Sequence, residues 1–101
     1  MTRKKETARR RAREAAFRVI FQADVAGDSY ADAWAKRQRE DHLGADSREL
    51  VENVLEILGA RAGEVDAILR EAAEHWPLER LAATDRAVLR AAVAELLGRQ
   101  G

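Results

Sequence analysis

Apolar residues recur along this chain at helical spacing, and nowhere over a useful length at the alternation of a half-buried strand. Residues 1–7 show no such period and read as a disordered basic arm, with Thr7 as the N-cap of a helix that runs to about Ala26. Gly27 then supplies a C-terminal stop. On a wheel of roughly 100° per residue, Ala12, Ala16, Val19, Ile20 and Ala23 form one apolar arc. Phe17, Phe21 and Val25 form a second stripe on another side, the pattern of a helix central to a bundle or part of an interface.

A short helix over 30–40 follows, with Tyr30, Ala33, Trp34 and Arg37 on one side, and a loop over 41–45. Asp46 and Glu49 have the spacing of a capping box before Leu50, Val51, Val54, Leu55 and Leu58. Gly59 and Gly63 weaken the end of that helix. Val65, Ile68, Leu69, Ala72 and Trp76 then make a further amphipathic stretch closed by Pro77. Thr84 is placed to cap a last helix in which Val88, Leu89, Ala92, Val93 and Leu96 face inward and which Gly98 ends. The prediction is an all-α bundle of about five helices with short loops over 8–101.

Composition sharpens this picture in three ways. At 101 residues the chain supports one core, and its 22 Leu, Ile, Val and Phe residues are modest for it. With no Cys there is no disulfide scaffold, thiol chemistry or Cys-based zinc site, which fits a reducing cytoplasm. No apolar run approaches the roughly 18 residues of a membrane span. The formal charge of zero hides an asymmetry: residues 1–13 hold seven Lys and Arg against Glu6, a net of +6, so the remainder carries −6.

The residues offer little for catalysis. His42 and His75 lack a spaced partner for metal binding or acid–base work, Ser29 and Ser47 look like helix-start residues, and the six glycines never cluster into a phosphate loop. We therefore expect no enzyme, no metal and no cofactor. The basic segment points elsewhere. Arg9, Arg10, Arg11 and Arg13 lie within five residues at the start of a helix, with Lys4 and Lys5 upstream. Cations there oppose the helix dipole by roughly 0.3–1 kcal/mol each, so helix stability does not explain them. Arginine forks onto phosphate and stacks on bases, so a polyanion such as single-stranded RNA is the expected partner. Phe17 fits a core role, while Phe21 is equally compatible with the core and with a partner contact.

Several segments together resemble the NusB family of bacterial transcription antitermination factors. They are Ala8-Arg9-Arg10-Arg11-Ala12-Arg13-Glu14, Arg48-Glu49-Leu50-Val51 with Val54-Leu55, and above all Trp76-Pro77-Leu78-Glu79-Arg80-Leu81 followed by Thr84-Asp85-Arg86-Ala87-Val88-Leu89-Arg90 and Glu95-Leu96-Leu97. The likeness runs from residue 8 to residue 97 in order. It implies an all-helical, non-catalytic protein that binds boxA RNA together with ribosomal protein NusE, as part of an RNA polymerase antitermination complex. It also implies RNA contacts at Arg9, Arg10, Arg11 and Arg13, and a NusE surface at Phe21, Glu79 and Asp85.

The resemblance further implies helices beyond the Glu-Leu-Leu segment, around a Pro-Tyr-Lys-Val-Ala-Ile-Asn motif, where this chain ends Gly98-Arg99-Gln100-Gly101. A domain shortened at its C-terminus is expected to leave apolar surface on its third and fifth helices and to self-associate through it. Two other readings remain at this level: a fragment that binds NusE without RNA, and a detached RNA-binding domain of a ribosomal RNA cytosine methyltransferase.

Overall fold

A computed structural model describes residues 2–40, 42–73 and 77–100, with side chains from Thr7 to Arg99 within those spans. All regular structure among them is helical: α1 (Thr2–Ala26), α2 (Tyr30–Glu40), α3 (Ala45–Ala60), α4 (Ala62–Ala72), a single 3-10 turn (Leu78–Arg80) and α5 (Ala83–Gln100). The all-α bundle read from the sequence is the fold.

The axis of the molecule is α1, against which α2, α3 and α5 all pack. Its buried residues are Ala12, Ala15, Ala16, Val19, Ile20 and Ala23, the arc expected from the wheel with Ala15 added. Four of these six are alanines. Small side chains let neighbouring helix axes approach toward the short end of the usual 8–10 Å range, so two partners can close on one helix at once. Phe17 and Phe21 are half-buried against this core, their rings stacked with centroids 6.1 Å apart. Both aromatics of the second stripe thus complete the core margin.

The ends of α1 differ from expectation in one respect. Its C-terminus lies where the sequence puts it: Gly27 takes φ +74°, and its N–H donates to the Ala23 carbonyl at 3.0 Å. Its N-terminus extends to Thr2, so the expected disordered arm over 1–7 is helical through most of its length. Arg, Lys, Glu and Ala are good helix formers, and propagating an existing helix needs no new nucleus.

Capping also departs from the simplest reading. In α2 the Ser29 hydroxyl accepts from the Asp32 N–H at 3.0 Å, as a helix-start serine should. The capping box at Asp46 does not form, because the N-cap of α3 is Gly44, two residues earlier, with no side-chain cap. Asp46 sits in the first turn instead, and Ser47 turns inward to donate from Oγ to the Ala8 carbonyl at 3.1 Å, tying α3 to α1. Between Gly59 and Gly63 the chain breaks at Arg61 (φ −125°, ψ 30°), which separates α3 from α4.

The largest correction concerns α5. Its fully buried residues are Ala87 and Ala94, with Ala91, Val93 and Leu97 partly buried against the core. Val88, Leu89, Ala92 and Leu96, expected inside, face out, and Leu96 is 57% exposed. This helix is apolar on nearly every side, so hydrophobic spacing could not rank its faces. The arc that fits is the one whose alanines match the narrow gap beside α1. Thr84 lies within the helix, which starts at Ala83. Gly98 lies inside it too, where a Cβ would stand 2.9 Å from Ile57 Cδ1, the movable tip of that side chain. The expected inward role of Trp76 lies outside the described residues.

Replacing Ala94 with Leu overfills the contact face and is expected to lower stability by roughly 1–3 kcal/mol. Replacing Leu96 with Ala on the outward face should cost under about 0.5 kcal/mol. Urea unfolding of the two variants at low protein concentration checks this inversion of faces.

Candidate nucleic-acid and partner interface

The arginines expected at the start of the first helix stand about two to three turns inside it, because α1 begins at Thr2, and they fan around its N-terminal half. Arg9, Arg10 and Arg11 are exposed, and among the described side chains none of them holds an ion pair. Arg9 and Arg11 lie on different sides of α1. Arg9 lines a groove of about 690 Å³ between the start of α1, α3 and the end of α5. Arg11 lines a second hollow, of about 510 Å³, formed with Thr7, Ala8 and the loop His42-Leu43-Gly44 leading into α3. The side chains of Lys4 and Lys5, expected to extend the basic surface, lie outside the described residues.

Arg13 behaves differently. Its Nε and Nη2 donate to the Glu95 carboxylate, at 3.1 and 2.8 Å to opposite oxygens, and Arg99 donates to the same carboxylate at 2.9 Å. A bidentate fork of this kind fixes guanidinium orientation. Arg13 therefore joins α1 to α5 while its Nη1 remains available. The hydrogen bond from Arg13 holds the Glu95 carboxyl below its usual range, against the opposing effect of partial burial. Glu95 had no role in the sequence reading, because its partner stands 82 residues away.

The opposite end of α1 gathers the expected partner residues. Asp24 accepts from Arg86 Nη2 at 2.9 Å, joining the end of α1 to the start of α5. Phe21 lies one helical turn before Asp24, and Asp85 immediately precedes Arg86, so the bridge sets both at this end of the bundle. Arg86 Nη1 also donates to the Leu81 carbonyl at 2.7 Å, which anchors the turn after Pro77. Glu79, in the 3-10 turn, is exposed and paired with Arg70 at 2.7 Å, and that hydrogen bond lowers its pKa. It shares a small hollow with Arg70, Arg86 and Arg90. Asp85 is exposed in the first turn of α5. Arg90, bound to Asp66 at 3.0 and 3.1 Å, closes α4 on α5.

From Arg9 to Phe21 is twelve residues of helix, or about 18 Å along the axis. The N-terminal half of α1 is thus cationic, while Phe21 near its other end lies at the end of the bundle where α5 begins with Asp85. No group of three or more His, Asp or Glu side chains that could hold a metal occurs among the described residues, and no helix there is long and apolar enough to cross a membrane.

Comparison with known proteins shows the family. The NusB family model matches residues 10–100. The chain is 38% identical over 99 residues to a protein of Koribacter versatilis named transcription antitermination protein NusB, covering 93% of this chain and 65% of that protein. Proteins of the same name from Beutenbergia cavernae and Symbiobacterium thermophilum are each 36% identical, covering 89% of this chain and 64% of their own length. The chain thus spans just under two thirds of the length of these relatives. No solved structure matches it.

The lowered pKa of Glu95 makes a pH prediction. A carboxyl depressed on folding contributes stability above its unfolded pKa and loses it as pH falls through the folded value. Glu95→Gln should therefore cost about 1 kcal/mol at pH 7, discounted for the exposure of Arg13. The gap from wild type should close in acid below the ordinary glutamate range, as followed by urea denaturation across pH.

Proposed function

The chain belongs to the NusB family, and from that premise we propose that it is a transcription antitermination factor which binds boxA RNA together with ribosomal protein NusE. The observation that carries this reading is the cluster of exposed arginines in the N-terminal half of α1, where Arg9, Arg10 and Arg11 hold no ion pair among the described side chains. Arg9, Arg10 and Arg11 supply phosphate forks and stacking planes around more than half of the helix circumference. Arg13 contributes through the nitrogen that Glu95 leaves available, so it acts partly by bracing the cluster against α5. Lys4 and Lys5, upstream in the sequence, add two positive charges to the same segment.

At the other end, Phe21, Glu79 and Asp85 form the proposed NusE surface. A half-buried aromatic flanked by carboxylates suits a basic ribosomal protein: the ring gives apolar area, and the acids steer and orient. Placing the two sites at opposite ends of α1 lets one rigid helix hold RNA and protein together, without either covering the other. The proposed setting is the cytoplasm, in the antitermination complex with RNA polymerase, and no chemical step is assigned to the chain.

Replacing Arg9, Arg10, Arg11 and Arg13 by Ala should abolish specific binding of labelled boxA RNA. The wild-type salt dependence should have a slope near −0.7 per phosphate contact, characteristic of single strands. Unchanged RNA affinity in the fourfold variant would remove the RNA assignment and leave a NusE-binding protein. Asp85→Arg should weaken NusE binding by roughly tenfold or more with the circular dichroism spectrum unchanged. Equal affinity in a calorimetric titration would take Asp85 off the partner surface.

A further inference from the structure

The arginines assigned to RNA are of two kinds. Arg9, Arg10 and Arg11 hold no ion pair among the described side chains, whereas Arg13 is forked onto Glu95. The Glu95 carboxylate takes Nε and Nη2, so two of the five donors of the guanidinium are engaged and its charge is matched at hydrogen-bonding distance. What remains open is the plane. The Arg13 side chain is 49% exposed, and a contact along the edge of a guanidinium leaves its faces for stacking.

The anchor of Arg13 is itself fixed. The Glu95 side chain is 19% exposed, Arg99 donates to its Oε1 at 2.9 Å from one turn further along α5, and Ala94 beside it is fully buried. This clamp sets the orientation of the Arg13 plane and removes rotamer freedom that an unpaired arginine loses only on binding. Arg9 and Arg10 precede Arg13 by four and three residues, one turn or about 5 Å along α1. A strand whose phosphates sit on those two unpaired cations thus brings a base to the height of Arg13.

We propose that Arg13 contacts a nucleobase, with Glu95 as the positioning residue that holds it as a stacking platform, while Arg9, Arg10 and Arg11 hold phosphates. This role rests on the proposed RNA site and makes Arg13 its specificity-determining residue. Phosphate contacts give affinity that every sequence shares, and base contacts distinguish sequences. A phosphate at Arg13 meets a cation whose charge Glu95 already balances, so it gains little there. A base gains stacking and cation–π attraction from the same plane. Without Glu95 the guanidinium is free to turn onto phosphate, which strengthens binding to any RNA and weakens the preference for one.

Fluorescence-anisotropy titrations of the full chain with labelled boxA RNA and with a scrambled RNA of equal length, each across a range of salt, test the proposal. Arg10→Ala should flatten the salt slope by about 0.7 on both RNAs, as loss of one phosphate contact to a single strand does. R13A should leave the slope unchanged, weaken boxA binding about tenfold and leave scrambled RNA nearly as before. R13K keeps the charge and loses the plane, so it should behave as R13A does. Glu95→Gln should steepen the slope by up to about 0.7 and narrow the gap between the two RNAs, and it should do neither when combined with R13A. An R13A slope that flattens like that of Arg10→Ala makes Arg13 an ordinary phosphate contact and overturns the proposal. Equal losses on both RNAs, or wild-type binding by R13K, overturn it as well, and a steepening that persists without Arg13 removes the role of Glu95. If the wild-type chain binds neither RNA, the RNA site itself falls, and the role of Arg13 falls with it.

Discussion

The bundle depends on the small-residue face of α1. Ala12, Ala15, Ala16 and Ala23 alternate with Val19 and Ile20 along its buried side, and α3 and α5 close on that side together while α2 packs near its end. Had larger residues stood at those positions, one neighbour could have docked but the other would have been held away. The consequence is a core of many short contacts and few large side chains. Among the described residues, its largest fully buried side chains are Ile20, Leu58, Val19, Val51 and Val65.

A core of that kind gains little from area alone, since an alanine removes far less surface from water than a leucine. Charged pairs between elements supply some of the remaining order. Arg13 with Glu95 joins the middle of α1 to the last turns of α5, Asp24 with Arg86 joins the end of α1 to the start of α5, and Arg90 with Asp66 joins α5 to α4. Each is partly exposed and individually modest. Their value is geometric: planar guanidinium forks set the register of α5 along α1, which alanine contacts would leave free to slide. The same bridges place the arginine cluster at one end and the acidic and aromatic residues at the other, so the proposed interfaces inherit their positions from the packing.

The assignment of faces on α5 shows where pattern reading stops. On α1 and α3 the polar residues interrupt the apolar ones regularly, and the buried arcs are those expected from spacing, including Val51, Val54, Leu55 and Leu58 on α3. On α5 alanine, valine and leucine occur at almost every angle. Two arcs are then equally hydrophobic, and shape rather than polarity chooses between them. The alanine arc fits the gap beside α1 and Gly98 fits against Ile57, which leaves the bulkier arc outside. The missed salt bridges have a related cause, because residues paired across 62 or 82 positions leave no local trace in charge spacing.

What the sequence by itself determined was the class of the fold, the limits of α2, the glycine stop at the end of α1, the serine start of α2 and the presence of a cationic cluster. These are local matters of propensity, capping and charge density, legible because they depend on residues within a turn or two of each other. The family resemblance was legible for the same reason, through ordered blocks of sequence. Tertiary structure alone decided which side of α5 is buried, that Arg13 shares its guanidinium with Glu95, and that Ser47 serves α1 rather than its own helix start. Those outcomes turn on which helices meet, how closely their small residues allow them to approach, and which distant charges are brought within hydrogen-bonding reach.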